Sequence, residues 1–575
     1  MRFMIGRVLL RRGAAVALLL IAASHGSGVS ARAPASVGAA CVDLPHAAAA
    51  RDGGLRAVPA GSAPALPGTP RIGRIEVRRL AIFDESDPAE DVPLYRLAND
   101  LHLLTREQAV LELLPFASGD VYDWARLREG ERLLRNRDWA YDARVVPVRR
   151  CGDLVDVMVV TRDVWSIVPT GDINRSGGES SLALGIKDVN LLGRGETLGL
   201  YYEDGVDRTG IAGFYVDPFV GGTPWLLRID GGVNDDGERI GVNLQRPYRS
   251  FDDRASHGVV VARDERIQPR FDTGFRVEEF AYRSTFADLF LSRSTGVRDG
   301  VVHRWRVGMR YQEHEFARTD TLLQPAELPE DRRFAYPYVA YEFLEERWDA
   351  SVNLNFVQLT EDVFLGRRFA ASFGLAPDGA GADAGRALLD LDYRDALRAG
   401  GWLLSWNGRV DGALRFDLEE AENLVVSAGT QAFHRHNDAF GFFAGVDGVW
   451  TRNLTGERQL LLGGDNGLRA YPQRYQEGDR LLRLRLEERW FSSLHPFQLF
   501  RLGAAVFLDA GRAWFPGAPD DEEQGWLANV GLGLRLTSDR VPTDSIMHID
   551  IATPLRRGGR DVDDVLVSVT LRESF

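Results

Sequence analysis

One arginine stands alone in a glycine-rich segment, GGDNGLRAYPQRY, that spans residues 463–475. Arg469 lies there between apolar Leu468 and small Ala470. An arginine can bind one carboxylate through two parallel hydrogen bonds, so the chemistry available to Arg469 is strong ion pairing. The alternative is that Arg469 tops a solvated surface loop and pairs with nothing.

A candidate partner follows in residues 502–514, LGAAVFLDAGRAW. Side chains alternate between the two faces of a strand, so even and odd positions are read separately. The even positions are mostly apolar, whereas the odd positions are mostly small and carry one carboxylate, Asp509. An unpaired charge in a partly dehydrated interior is costly. The pattern therefore predicts that the loop folds inward and that Arg469 pairs with Asp509, with glycines Gly463, Gly464 and Gly467 allowing the tight path.

Period-2 patterns of about ten residues dominate residues 164–575, which is the length a tilted strand needs to cross a bilayer. The polar faces carry Arg and Glu, which suits a wet lumen, although a soluble β-sandwich also alternates. Short turns such as residues 190–195 contrast with long polar loops at 317–334, 376–386 and 516–526. The fold class predicted is an all-β transmembrane antiparallel barrel. Tryptophans near strand ends fit interface girdles: Trp402, Trp406, Trp450, Trp490 and Trp514.

The segments before the barrel divide into three parts. Residues 1–31 combine a basic start, the apolar run 14–23 and a small-residue cleavage site, which predicts an export signal. Residues 32–70 are rich in Ala, Pro and Gly and are predicted to be a flexible linker. Residues 71–163 predict a small α/β domain in the order strand, two helices, two strands. Its helices are expected to begin at a capping box, residues 105–108, and at the N-cap Asp123.

Export leads to an oxidising compartment, so Cys41 and Cys151 are either one disulfide or two free thiols. The net charge of −14 and the pI of about 5.4 argue against a nucleic-acid partner. No nucleophile elbow, P-loop or spaced metal-ligand set is present in the sequence, so no catalytic, cofactor or metal site is expected. No apolar run reaches the length of a membrane-spanning helix.

Several motifs resemble one family. LGGDNGLRAYP resembles the inward-folded loop of the BamA/TamA outer-membrane assembly factors, FLDAG with Phe507 and Gly511 resembles the barrel-wall motif that receives the loop arginine, and residues 71–163 resemble a POTRA module. The segments SSLALGIKDVNLLGRG and VLVSVTLRESF resemble the second strand with its turn and the terminal sorting strand that ends at Phe575. Ala470 stands where the family has glycine, and Leu468 where it has Val or Ile.

The resemblance implies a barrel of about sixteen strands, fewer than the roughly twenty strand-like runs in the sequence, the surplus being assigned to loops. It also implies an inward clamp formed by Arg469, Tyr471, Asp509 and Gly511. The implied function is to help insert, assemble or translocate other proteins at the bacterial outer membrane. The partners would be outer-membrane lipids, unfolded or β-rich clients, and periplasmic proteins bound through the POTRA-like domain. The alternative is a passive structural barrel, surface antigen or narrow pore without protein clients.

Overall fold

The computed structural model describes residues 41–45, 47–52, 66–176, 179–517, 525–542, 546–556 and 562–572. The predicted export signal, residues 1–31, and Phe575 lie outside the described residues. Strands dominate the described chain, and no helix within it is long and apolar enough to cross a bilayer.

The helices and strands are numbered in chain order. The N-terminal elements are β1 (Cys41–Asp43), α1 (Ala47–Asp52), β2 (Arg71–Leu80), α2 (Pro93–Leu101), α3 (Glu107–Leu111), α4 (Trp124–Arg135), β3 (Ala140–Cys151) and β4 (Leu154–Asp163). The following strands are β5 (Ile167–Ser176), β6 (Glu179–Asp188), β7 (Thr197–Asp204), β8 (Thr209–Asp217), β9 (Leu226–Asn234), β10 (Gly237–Arg246), β11 (Ala255–Asp272), β12 (Phe275–Ser294), β13 (Val301–Ala317), β14 (Arg332–Glu345), β15 (Trp348–Val352), β16 (Thr360–Phe364), β17 (Arg368–Ala376) and β18 (Arg386–Ala399). The last are β19 (Trp402–Arg415), β20 (Glu420–Arg435), β21 (Phe440–Arg452), β22 (Leu460–Leu462), β23 (Gln476–Gly478), β24 (Arg480–Phe491), β25 (Phe500–Trp514), β26 (Leu527–Ser538), β27 (Ile546–Pro554) and β28 (Leu566–Arg572).

The N-terminal domain is a four-stranded sheet in the order β1-β3-β4-β2, in which β2 runs parallel to β4. Asp123 caps α4 as predicted, because its carboxylate accepts a hydrogen bond from the amide of Ala125. The capping box is wrong. The Thr105 hydroxyl instead donates to buried Asp163, and α3 begins without a side-chain cap. A third helix, α2, was not predicted.

Within the predicted flexible linker, residues 32–70, Cys41–Asp43 form β1 and Ala47–Asp52 form α1 instead. Cys41 forms a disulfide with Cys151, and β1 pairs with the end of β3. Ala47 and Ala50 are buried against Val146 and Val160 of the sheet. A covalent bond and a packed apolar face thus order a segment whose composition alone suggested a flexible linker, and β1 pairs with the last three residues of β3 at one edge of the sheet.

The barrel is closed and contains twenty strands, so the expectation of about sixteen is wrong. The runs in excess of sixteen are wall strands rather than loop segments, because all twenty strands lie between two neighbours in the closed sheet. Only two short ribbons, β15–β16 and β22–β23, stand outside the wall among the described residues.

The outer face of the barrel carries an apolar belt. In β25 the even positions are partly or fully exposed and the odd positions are buried, so the two faces follow the predicted parity. Large apolar side chains are exposed all round the wall, including Leu184, Ile186, Leu198, Leu200, Ile211, Ile229, Ile240, Val261, Leu289, Val307, Val339, Phe373, Leu389, Val446, Val506, Leu532, Ile551 and Val567. A closed sheet with such a belt has its backbone groups paired and its apolar surface ready for lipid.

The two ends of the barrel differ. The N-terminal domain packs on one end, where Arg540 donates to the carbonyl of Ile82 at 2.8 Å and Asn190 donates to Thr105 at 2.8 Å. Antiparallel strands alternate in direction, so the predicted long loops 317–334 and 376–386 fall at the opposite end, as do the described residues at either side of the predicted loop 516–526. Residues 518–524 of that loop lie outside the described part of the chain. We call the two ends of the barrel the domain end and the loop end.

Candidate functional site

The segment between β21 and β24 enters the lumen from the loop end. Its ribbon, β22–β23, leads into residues 463–475, which fold against the inner wall. Leu468, Ala470 and Tyr471 are fully buried with Phe507 of β25 in one apolar cluster. The glycine-rich stretch is therefore an inward loop rather than a solvated surface loop.

Arg469 lies at the centre of this contact and is 2% exposed. Its Nε and Nη2 donate to the two carboxylate oxygens of Asp509, both at 2.8 Å. Nη2 also donates to Glu487 Oε1 at 2.9 Å, and Nη1 donates to Asp550 Oδ2 at 3.4 Å. The guanidinium carbon stands 3.4 Å from the centre of the Phe507 ring, a cation–π contact in a dehydrated setting.

Two further arginines complete a charged cluster. Glu487 accepts hydrogen bonds from Arg489 Nε at 3.0 Å, and Asp550 accepts one from Arg535 Nη1 at 2.6 Å. The cluster thus joins three guanidinium groups to three carboxylates. Balanced pairing is what makes so much buried charge tolerable, because an ion left without its partner would keep the whole desolvation cost.

Sequence reasoning reached one of the three carboxylates around Arg469. Alternation placed Glu487 and Arg489 on the polar face of β24, but nothing in one strand shows which neighbour comes close. Arg535 belongs to β26 and Asp550 to β27, and the register of these strands with β25 follows from the closed sheet. Alternation along each strand showed which side chains face the lumen. Which of them lie next to Arg469 depends on the register between strands.

The glycines lie where side chains have no room. A Cβ on Gly463 would stand 2.4 Å from the amide nitrogen of Arg474 and 2.5 Å from the carbonyl of Pro472. Gly467 has φ of +134°, which favours glycine. A Cβ on Gly511 would approach Leu462 to 3.2 Å, so the small wall residue lets the loop lie close. The amide of Gly464 donates to the Pro472 carbonyl at 3.0 Å.

Tyr471 fixes the loop at a second point, beside the cluster. Its hydroxyl donates to the carbonyl of Ala528 at 2.9 Å and also bonds the carbonyl of Arg556. Ala470 has no positive φ, so its backbone conformation is one that alanine adopts without strain. The departure from glycine at this position is accommodated by ordinary backbone geometry.

The loop also reaches the far wall. Arg474 Nη1 donates to Asp207 in the β7–β8 turn at 2.9 Å, and its guanidinium carbon stands 4.0 Å from the Phe271 ring of β11. Since Arg469 holds β24, β25 and β27, the segment spans the lumen and ties strands from two sides of the barrel.

A second segment fills the lumen from the domain end. The ribbon β15–β16 places Leu354 and Val357 among inward side chains of the wall, including Phe443 and Phe491. Arg489 Nη1 donates to the Leu354 carbonyl at 3.0 Å, so this ribbon meets the charged cluster. At its other end, Asp362 accepts hydrogen bonds from Arg135 of α4 at 2.8 and 3.0 Å. We call residues 346–367 the lumen hairpin.

These contacts suit mechanical bracing. The cluster sets ions in fixed geometry but presents no nucleophile aligned with a base, and no group of three metal-binding side chains occurs in the part of the chain that the structure describes. Phe507 forms the floor of the clamp, and Cys41 and Cys151 lie apart from it in the N-terminal domain.

No protein-family model and no curated protein matches the chain. Among solved structures, BamA from Haemophilus ducreyi lacking POTRA domains 1-3 is 12% identical, with a TM-score of 0.38 over 87% of this chain and 85% of that chain. CdiB from Escherichia coli is 13% identical, with a TM-score of 0.38 over 89% and 92% of the two chains. The FrpB iron transporter from Neisseria meningitidis is 9% identical, with a TM-score of 0.37 over 87% and 91%. These scores are too low to show a shared fold, and function is argued from the geometry of this chain.

Proposed function

We propose that this chain is an outer-membrane β-barrel that assists the insertion, assembly or translocation of other proteins, with its N-terminal domain in the periplasm. The exposed apolar belt supports the membrane position, because exposing so large an apolar surface to water is unfavourable. The motifs around Arg469 and Asp509 support a barrel that assists other proteins. Clients would be unfolded or β-rich chains.

The junction between β28 and β5 carries the proposal. One pair, Val569 opposite Arg175, is registered across it in the described residues. By contrast, β27 and β28 pair continuously from Ile546 opposite Arg572 to Ala552 opposite Leu566. Backbone groups near such a junction are available to another strand, and in lipid the gain from pairing them is large because no water competes.

The rest of the molecule would serve this junction. At one edge of the N-terminal sheet, β1 pairs with the last three residues of β3. We infer that an extended client pairs at the opposite edge strand, β2, beyond its first residues, which already bond residues 119–122. The client strand would then add to β5 or β28, driven by backbone hydrogen bonding without a nucleotide. The inward loop would brace β24, β25 and β27 while the junction is open.

The second candidate is a passive structural barrel, surface antigen or narrow pore without protein clients, and the filled lumen argues only against a wide pore. The inward loop and the lumen hairpin both occupy the interior, and Arg489 links them. Two segments packed across the lumen would obstruct flow through a wide pore. A structural barrel without clients would still require this bracing, so the decisive test concerns the junction.

The test is to lock the junction. The double variant Arg175→Cys with Val569→Cys places two thiols at registered partners, and both native cysteines are already paired in a disulfide. The matched control is Ile549→Cys with Val569→Cys, which crosslinks β27 to β28 in the continuous ladder. Each variant is supplied as the sole copy, and the heat-modifiable, folded fraction of other outer-membrane proteins is measured.

We expect the junction lock to lower that fraction and the control lock to leave it unchanged, with reductant restoring activity to the first. Normal assembly with the junction fully crosslinked would contradict strand addition there. Crosslinking from β2 in intact cells, followed by identification of the captured chains, would name the clients.

A further inference from the structure

Helix α2 carries an apolar face that nothing in the described chain covers. Leu94, Leu97 and Leu101 are 68%, 52% and 66% exposed. Spacings of three and four residues place them along one side of the helix. Arg96, on another side of the helix, and Asp100, which borders the leucine face, are also exposed. The helix is therefore amphipathic, with its leucines turned away from the domain core.

The same helix is fixed to the rim of the barrel. Tyr95 donates from its hydroxyl to the carbonyl of Phe497, in the turn between β24 and β25. Tyr95 and Phe83 form a buried cluster against which Leu499, just before β25, packs. The distance of α2 from the wall is thus set by direct contacts rather than by a linker.

The rim beside α2 is itself apolar and exposed. Phe497 is 76% exposed, and Leu494 in the same turn is also exposed. Trp490 and Phe500, on the outer face of β24 and β25, extend this surface into the apolar belt. The contact of Tyr95 with Phe497 therefore places α2 beside an apolar surface that, under the proposed function, contacts lipid.

We propose that α2 lies in the interface of the periplasmic leaflet, with Leu94, Leu97 and Leu101 directed into the lipid and Arg96 and Asp100 towards water. The inference rests on the proposed function, since it requires the barrel to span a membrane. An amphipathic helix of this kind inserts its apolar face at the boundary between headgroups and acyl chains. Proximity to the belt favours lipid over a protein partner as the occupant, because the barrel already holds α2 at the level of its rim. The lipid contact would hold the N-terminal domain beside the junction of β5 and β28.

The experiment maps depth by fluorescence quenching in proteoliposomes of the full chain. A polarity-sensitive dye is attached through Leu97→Cys in one sample and Arg96→Cys in a second, since the native cysteines are paired and do not react. A third sample carries the dye at Val506→Cys, on the outer wall of β25. Quenchers are lipids with acyl-chain nitroxides and, separately, aqueous iodide. Heat-modifiability confirms that each labelled barrel is folded.

We expect lipid nitroxides to quench the dye at both position 97 and position 506, and position 96 to respond mainly to iodide. Lipid quenching at 506 but iodide quenching at 97 would overturn the membrane contact of α2 and would point to a protein partner. Failure of lipid quenching at 506 would instead contradict the membrane barrel, so the two failures are distinguishable.

Discussion

The contacts of Arg469 predict that removing this cation lowers the free energy of unfolding more than neutralising one of its carboxylates does. In Arg469→Ala, Asp509 keeps its burial and loses its bidentate guanidinium partner. Glu487 loses one cation and keeps Arg489. We expect a loss of about 3–5 kcal/mol, because an uncompensated buried charge is left behind. Asp509→Asn keeps the shape of the wall and leaves Arg469 its other carboxylates, so a smaller loss of about 1–3 kcal/mol is expected.

The measurement is the temperature at which the purified barrel loses its heat-modifiable mobility, compared with urea unfolding. The control is Arg409→Ala, which breaks an exposed pair with Asp390 inside the same barrel. An exposed pair contributes about 0–1 kcal/mol. If Arg469→Ala and Arg409→Ala have the same stability, Arg469 does not brace the barrel.

The pairing of Arg469 shows how far residue types lead. A single carboxylate among small residues on one face of 502–514 was enough to select Asp509. The other two carboxylates were beyond reach, because Glu487 and Asp550 come from strands whose register depends on closure of the whole sheet. The sequence of one strand determines which face a side chain is on. Its neighbours are determined by the register of the whole sheet.

At the scale of elements, alternation predicted wall strands well and short elements poorly. The parity of β24 and β25 follows from their sequences. The ribbon β15–β16 has only five residues in each strand, too few for a periodic signal, and its role comes from its tertiary contacts with the wall. Helix α2 begins at Pro93 in a polar setting, and its leucines face outward, so it lacks the usual pattern of a helix packed on a core.

The lumen hairpin predicts a change in ion conductance. Deleting residues 351–361 and joining the ends through two glycines keeps the first pairs of the ribbon, including Ala350 opposite Asp362. We expect larger single-channel conductance in planar bilayers, because Leu354 and Val357 no longer fill the domain end of the lumen. Deleting residues 320–323, an exposed part of a long loop at the other end, is the control. Equal conductance in both deletions would show that the hairpin does not obstruct the lumen.

At the scale of the whole molecule, the strand number and the docking of the N-terminal domain both depend on contacts between distant segments. The sequence contains roughly twenty strand-like runs, and the error lay in assigning the surplus over sixteen to loops. Docking could not be predicted, because contacts such as Arg540 with Ile82 join residues far apart in the chain that no local pattern relates. Such residues come together only once the barrel is closed and its end turns are formed.

A titratable group, Glu346, lies where the N-terminal domain docks on the barrel. Glu346 lies in the turn after β14, and its backbone amide donates to the Gly300 carbonyl at 2.8 Å. Burial, with Glu129 of α4 and Asp252 nearby, raises the pKa of Glu346 to about 7, although Arg132 opposes the rise. Once the domain undocks, this carboxyl returns towards its ordinary pKa of 4.5. The docked state therefore binds a proton between these values.

The sign of the pH dependence follows. Docking is most favourable at low pH, weakens as pH rises from about 5 to 7, and levels off above 7, with a total change of roughly 1–2 kcal/mol after allowance for solvent screening. Glu346→Gln should flatten this profile and strengthen docking at pH 8, because the amide resembles the protonated carboxyl. Hydrogen exchange of α4 amides between pH 5 and 8, corrected for intrinsic rates, measures docking directly. Glu107→Gln, an exposed position on α3, is the matched control and should leave the profile unchanged. Identical profiles for wild type and Glu346→Gln would show that protonation of this turn does not govern how the domain is held on the barrel.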